Sequence, residues 1–380
     1  MMIVFYIATA LLLLYGILFL YYKSWWKQVP FFKSDAHTGW VPSTSISVII
    51  PARNEADNIA SCVQSVCNQQ YPSHLLQVIV VDDNSTDNTA EIVKNIFFEG
   101  IELICLQPGH AENNTAPKKR AIEAGIAAAR GELIVTTDAD CIAGKEWLKN
   151  MAAFHEQSKN IFIAAPVKMS DINSLLSKFQ ALDFLTMQGI TGASVFKRFH
   201  NMCNGANLAY EKKVFYEVGG FSGIDTIASG DDMLLMHKVA KQYPHQVGFI
   251  KSTDAIVTTA TAASWKDFFQ QRIRWASKAT HYHQPNIFFV LLLVYLTNLS
   301  FIGMLVAAFW QPSALLLFAL LCFVKFFMEL LFVKDVAVFF KQTHLLPWLL
   351  VLQPLHIAYI VISGFLGQVK TYEWKGRKLK

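Results

Sequence analysis

The stretch Ser45-Ile-Ser-Val-Ile-Ile-Pro-Ala-Arg-Asn-Glu55 decides the fold. Its first half is a short β-branched run bounded by Pro51, and it reads as a buried strand. Its second half is polar and follows the strand's carboxyl end. The pattern recurs downstream. Gln77-Val-Ile-Val-Val81 runs into Asp82-Asp-Asn-Ser-Thr-Asp-Asn-Thr89, residues 101–106 read as a third strand, and Glu132-Leu-Ile-Val-Thr-Thr137 runs into Asp138-Ala-Asp140. Between them, residues 57–68 carry Ile59, Cys62, Val63 and Val66 at helical spacing, and 89–98 and 118–129 read as helices. Strands alternating with such helices predict an α/β fold with a parallel, doubly wound sheet. Ligands of such sheets bind beyond the carboxyl ends of the strands, the edge where these polar groups collect.

Working outward, the rest of the chain is unusually apolar. Of 380 residues, 53% are hydrophobic and 16% charged, with a mean hydropathy of +0.32. This excludes disorder, coiled coil and collagen. The excess sits in residues 3–22, 287–310, 314–333 and 345–367, each long enough to cross a bilayer. The implied organisation is a membrane anchor at 1–33, a catalytic domain at 34–284, membrane helices at 285–369 and a basic tail at 370–380.

The net charge of +5 comes without a basic patch in the polar block, so a nucleic-acid partner is not expected. Lys23, Lys27 and Lys33 follow the first apolar run and place the catalytic domain on the cytoplasmic side of an inner or plasma membrane. Trp25 and Trp26 are expected at headgroup level. Lys325 and Glu329, four apart in the third run, are expected to pair with each other against a neighbouring helix. Pro347 and Pro354 break the fourth run. Lys370, Lys375, Arg377, Lys378 and Lys380 argue for a cytoplasmic tail, so one apolar segment is expected not to cross fully. Six cysteines without C-x-x-C read as free thiols.

Four polar clusters can carry chemistry. Asp138 and Asp140 offer hard oxygen ligands suited to Mg²⁺ or Mn²⁺ bound with substrate phosphates, or else a capped turn. Asp82 and Asp83 can cap the next helix or accept hydrogen bonds from a nucleobase or ribose. Asp231 and Asp232 open a helix, where acids suit the macrodipole; a general base there needs offsetting desolvation. Gln271, Arg274 and Trp275 share a face of a helix placed within 264–284, with Arg272 displaced around it. Arg274 can clamp a diphosphate and Trp275 can stack on a sugar, while the same helix also reads as lying on the bilayer. G-x-G-x-x-G, G-x-x-x-x-G-K and H-E-x-x-H are absent, which disfavours dinucleotide, P-loop and zinc chemistry.

Taken in order, these motifs resemble the membrane-bound family-two glycosyltransferases of the GT-A fold, among them ceramide glucosyltransferase and the cellulose, chitin and hyaluronan synthases. Pro51–Glu55, Val81–Asp87, Lys118 before Ala121-Ile122, Asp138–Asp140, Asp231-Asp232 and Gln271–Trp275 match the family's sequence of motifs. The resemblance implies a GT-A domain with one N-terminal and two to three C-terminal transmembrane helices. It implies a nucleotide-sugar donor, UDP-linked, held by Pro51, Ala52, Arg53, Asn54, Glu55, Asp82, Asp83, Lys118 and Asp138. Metal is implied at Asp138 and Asp140. Asp232 is implied as the base, with Asp231, Gln271, Arg274 and Trp275 completing the catalytic group. The acceptor would be a lipid or glycan, with a processive polysaccharide synthase and an inactive sugar-nucleotide-binding scaffold as the alternatives. Where many synthases read E-D-x-D-L, this chain has Asp231-Asp232-Met233-Leu234, which lacks the second downstream acid.

Overall fold

The computed structural model describes residues 2–34, 39–96, 98, 100–105, 116–227, 230–278, 282, 284–369, 372–374 and 377–379. Helix α1 (Met2–Gln28) leads into alternating units: β1 (Ile46–Ala52), α2 (Ile59–Cys67), β2 (Leu76–Asp82), α3 (Thr89–Lys94), β3 (Ile101–Cys105), α4 (Pro117–Ala128) and β4 (Leu133–Thr136). The four strands pair in parallel in the order β3-β2-β1-β4. Every residue of β2 and β4 is buried, as expected of strands covered on both faces.

Past β4 come β5 (Cys141–Ala143), α5 (Trp147–Ser158), β6 (Phe162–Ala164), β7 (Val167–Met169), α6 (Leu175–Lys197), β8 (Leu208–Glu211) and α7 (Lys212–Glu217). The domain closes with α8 (Asp231–Gln242), β9 (Val247–Phe249), β10 (Val257–Thr259) and α9 (Trp265–Ala276). Antiparallel β8 joins β4 to β6 and extends the main sheet to seven strands, so the sheet is mostly rather than wholly parallel. Strands β5, β10 and β7 form a second, small sheet.

Among the described residues, three helices are long and apolar enough to cross a membrane: α1, α10 (Pro285–Ala307) and α11 (Ser313–Phe339). The fourth apolar run is a bent pair, 343–351, containing α12 (Leu346–Val351), and α13 (Gln353–Val369), set at 75° to each other. Both prolines foreseen as breakers lie at this feature: Pro347 at the start of α12 and Pro354 just past the bend. Lys370, Lys375 and Lys380 of the basic tail lie outside the described residues, and only the backbone is described at Arg377 and Lys378.

Two expectations about the membrane helices meet a more specific structure. Lys325 and Glu329 do pair, at 2.6 Å, but inside a larger network. Tyr15 donates to Glu329 at 2.5 Å, Lys325 donates to Gln353 at 2.8 Å, and Gln353 donates back to Glu329. Trp26, expected at headgroup level, is instead a core residue. It is 2% exposed, with Lys251 lying 4.2 Å from its ring centroid and Phe339 edge-on. Helix α1 packs against the α/β domain here, so the Trp26 side of its last turn faces protein, while Lys27 and Gln28 stay exposed.

Helix α13 reaches the catalytic domain at Gly367, where an added Cβ would lie 2.7 Å from Cβ of Ala276 in α9. This close approach packs the apolar helices against α9 of the α/β domain.

Candidate active site

The register pairs Ala52 with Asp82, which lays the loops after β1 and β2 side by side. They are stitched together. Arg53 donates to the carbonyl oxygens of Asp83 and Asn84 at 2.5 and 2.9 Å. Thr86 N–H donates to Asn54 Oδ1 at 2.8 Å, Asn54 N–H donates to Ser85 Oγ at 2.9 Å, and Ala56 N–H donates to Asp87 Oδ2 at 3.1 Å. Asn54 and Asn84 hold left-handed backbone, φ 51° and 57°, which asparagine tolerates better than most residues. Pro51, Ala52, Arg53, Glu55 and Asp83 line the cavity above the sheet, whereas Asn54 and Asp82 do not. Asn54 serves the stitching, and Asp82 Oδ2 accepts from Ser85 N–H at 3.2 Å, so both support the site from behind. Asp83 is held by Arg120 at 2.7 Å, a partner the sequence did not single out.

The remaining acids gather around Lys118. Its Nζ lies 2.7 Å from Asp138 Oδ1 and 3.6 Å from Asp231 Oδ2, tying the end of β4 to the start of α8. Burial works to lower the Lys118 pKa, but Asp138 and Asp231 outweigh it and hold the ammonium above its ordinary range. Asp232 accepts from Gly205 N–H at 2.8 Å and from Met233 N–H at 2.7 Å. Burial, then the charge of Asp231, raises the Asp232 pKa against the pull of Lys118. Desolvation therefore offsets the helix start, the condition a base at this position must meet.

Helix α9 closes the other wall. Gln271, Arg274 and Trp275 all line the cavity, as their shared face predicts. Arg272 corrects the picture of a helix lying on the bilayer. It is 3% exposed, paired with Asp183 of α6 at 2.8 Å and stacked 4.3 Å from the Trp275 ring centroid. Lys278, one turn beyond Arg274, also reaches the cavity; burial and the Arg274 charge lower its pKa to about 7. Neither Asp183 nor Lys278 was found from the sequence. The available signals were an isolated acid within an apolar helix and a cation one turn after the arginine.

Asp138 and Asp140 both line the cavity, Asp140 exposed and Asp138 half-buried. Among the described residues no group of three or more His, Cys, Asp or Glu side chains is placed to hold a metal ion. Two carboxylates on an open wall nevertheless fit Mg²⁺ or Mn²⁺, which take few protein ligands and complete their shell with water and substrate phosphates.

These walls enclose one cavity of about 890 Å³. It runs from Asp83 and Asp138 past Asp232 and Arg274 to Leu291 of α10 and Phe365 of α13.

Residues 47–219 match the Glycosyl transferase family 2 domain. The probable glycosyltransferase YdaM of Bacillus subtilis is 27% identical over 234 residues, 61% of this chain and 54% of that protein. Beta-monoglucosyldiacylglycerol synthase of a Nostoc species is 29% identical over 114 residues, 30% of this chain and 24% of that protein. This chain therefore spans about half, or less, of the length of these curated relatives. The mannosyltransferase PcManGT from Pyrobaculum calidifontis, solved with GDP-Man and Mn²⁺, superposes with a TM-score of 0.61 at 19% identity, covering 92% of this chain and 99% of that one. At that identity the likeness concerns the fold, which is the GT-A fold foreseen from the motifs.

Proposed function

We propose that this chain, which carries a family 2 glycosyltransferase domain, transfers a sugar with inversion from a nucleotide-sugar donor to a lipid or lipid-linked acceptor at the cytoplasmic face of the membrane. The observation that carries this reading is the single cavity joining the strand-end loops to the membrane helices past Asp232. A soluble acceptor has no need of that second half.

The nucleoside, UDP-linked, rests on Asp83 and the Pro51–Glu55 loop. Asp232 takes the proton from the acceptor hydroxyl as its oxygen bonds to C1 of the sugar. The bond from C1 to the diphosphate breaks in line, and its electron pair leaves with the diphosphate. Arg274 and the protonated Lys278 face that growing negative charge. Asp138 and Asp140 would hold Mg²⁺ or Mn²⁺, which would neutralise part of the diphosphate charge when bound. One base suffices for inversion, so no covalent sugar–enzyme intermediate is expected.

Membranes containing the full chain, incubated with a panel of labelled nucleotide sugars and extracted with organic solvent, test the proposal. Label in the organic phase is the expected result. Label confined to water-soluble polymer, sized on gels, would favour a processive synthase. Release of free sugar alone, with every acceptor fraction unlabelled, would reject transfer.

A further inference from the structure

The deep end of the cavity carries polar side chains that the donor chemistry leaves unused. Helix α13 turns Gln353, His356, Tyr359 and Ser363 into the cavity at three- and four-residue spacing. Asp183, Arg272, Glu329 and Tyr15 reach it from α6, α9, α11 and α1. In an apolar environment such groups are costly unless compensated, and here the charges cancel in pairs. Arg272 meets Asp183 at 2.8 Å, and Lys325 meets Glu329 at 2.6 Å. Tyr359 donates to Asp183 at 2.8 Å.

Charge is balanced, but hydrogen-bonding capacity is not. Beyond the ion pair that Nη2 of Arg272 makes, Nε and Nη1 of Arg272, Oε1 of Gln271 and Oγ of Ser363 are buried with no hydrogen-bond partner among the described residues. Arg272 and Ser363 are each 3% exposed. Buried polar atoms left this way are costly, and several at one cavity wall mark a place for a polar ligand.

The way in is also visible. Phe288 and Leu291 of α10 and Phe365 of α13 line the cavity, yet are 53%, 42% and 59% exposed on the apolar outer surface. The mouth therefore opens sideways between α10 and α13. It lies near the ends of these helices that adjoin the catalytic domain. Below it the helices touch at Gly364, where an added Cβ would lie 2.9 Å from the Tyr295 ring.

We propose that this cluster is the headgroup seat of the acceptor, and that the acceptor is an uncharged lipid bearing hydroxyl or amide groups that enters between α10 and α13. The inference rests on the transfer reaction proposed above and narrows its acceptor. A hydroxyl can accept from Arg272 and donate to Gln271 Oε1. A phosphate headgroup would meet two carboxylates, Asp183 and Glu329, whose cations are already paired. The other cations that line the cavity, Arg53, Lys118, Arg274 and Lys278, stand at the donor end around Asp83, Asp138 and Asp232.

The test uses detergent-dispersed membranes of the full chain with the labelled donor that gives turnover. Diacylglycerol, an N-acyl sphingoid base and a polyprenyl phosphate are offered separately. The expected product partitions into organic solvent, passes an anion exchanger and survives mild acid, as an ordinary glycoside does. An organic-soluble product that binds the exchanger and is cleaved by mild acid is a glycosyl phosphate lipid. That result would overturn the uncharged acceptor and leave lipid glycosylation standing. Label in no lipid, with donor consumed, would overturn both. Ser363→Ala touches neither ion pair and should raise the KM for the lipid about three- to tenfold, with a smaller effect on donor hydrolysis. An unchanged lipid KM would remove Ser363, and with it this seat.

Discussion

The guanidinium of Arg272 lies 2.8 Å from the carboxylate of Asp183, joining the motif helix α9 to the interior helix α6. Two arginines two residues apart thus have different work, although both line the cavity: Arg272 is tied to Asp183, while Arg274 stands beside Lys278.

This separates two variants by what they damage. Arg272→Lys forfeits the stacking on Trp275 and Phe268, at 4.3 and 5.0 Å from the ring centroids, and weakens the ion pair with Asp183. It should cost about 2–4 kcal/mol of stability, read as a lower Tm in detergent. Arg274→Lys should lower kcat with a much smaller change in Tm, because an ammonium cannot reproduce the planar contact with a diphosphate. Equal Tm losses in the two variants would contradict the division.

Chemistry and donor binding should also come apart. Asp232→Asn is expected to lower kcat by about 10²–10⁴ with donor affinity nearly kept, since a base acts in the transition state. Asp83→Ala strands Arg120 and should weaken donor binding about tenfold or more. Steady-state kinetics with calorimetric donor titration check both.

Much of this site was legible, and the illegible part has physical causes. The β-branched runs of β1, β2 and β4 announce themselves, and their carboxyl ends name Asp83, Asp138 and Asp140 in advance. Helix α6 left no such trace. Its buried residues, such as Leu182, Asp183, Phe184 and Leu185, run around the whole circumference, so no 3.6-residue period survives. Asp183 gains its meaning only from Arg272, a contact between distant parts of the chain that spacing cannot reveal. Trp26 was misplaced for a related reason: the rule for membrane-interface aromatics assumes lipid where the catalytic domain in fact packs. Asn54 matched a binding motif, but its side chain turns back to hold the loop.

That loop can be probed by itself. Asn54→Gly keeps the left-handed backbone and loses the bond to Thr86, a change of about 1 kcal/mol. Asn54→Ala loses the bond and adds a backbone penalty of about 1–2 kcal/mol. The alanine variant should therefore show the larger rise in donor KM. The reverse order would place Asn54 on the donor itself.

The pH dependence follows from the groups facing Asp232, which include Asp231, Lys118, Lys119, Cys203, Tyr282 and Lys278. Asp232 must be deprotonated, and its pKa is raised, so kcat/KM should climb with pH above the usual carboxylate range. Lys278 must be protonated to face the diphosphate, and its pKa is lowered to about 7, so kcat/KM should fall as pH passes that value. A bound diphosphate favours the charged lysine, so the alkaline limb of kcat should lie at higher pH than that of kcat/KM. Lys278→Met should abolish that limb; its persistence would assign it elsewhere.

Asp138 and Asp140 make metal removal informative. Chelation with EDTA should stop turnover, and Mg²⁺ or Mn²⁺ should restore it. Asp140→Ala should raise the metal concentration needed for half-maximal rate. Full activity in chelator would remove metal from the account.

On the proposed mechanism a single carboxylate, Asp232, activates the acceptor for direct displacement at C1. The anomeric configuration of the first-formed product, read by proton NMR coupling constants against the donor, tests it most directly. Inversion is expected, an α-linked donor giving a β-linked product. Retention of configuration would require a second displacement and would contradict it.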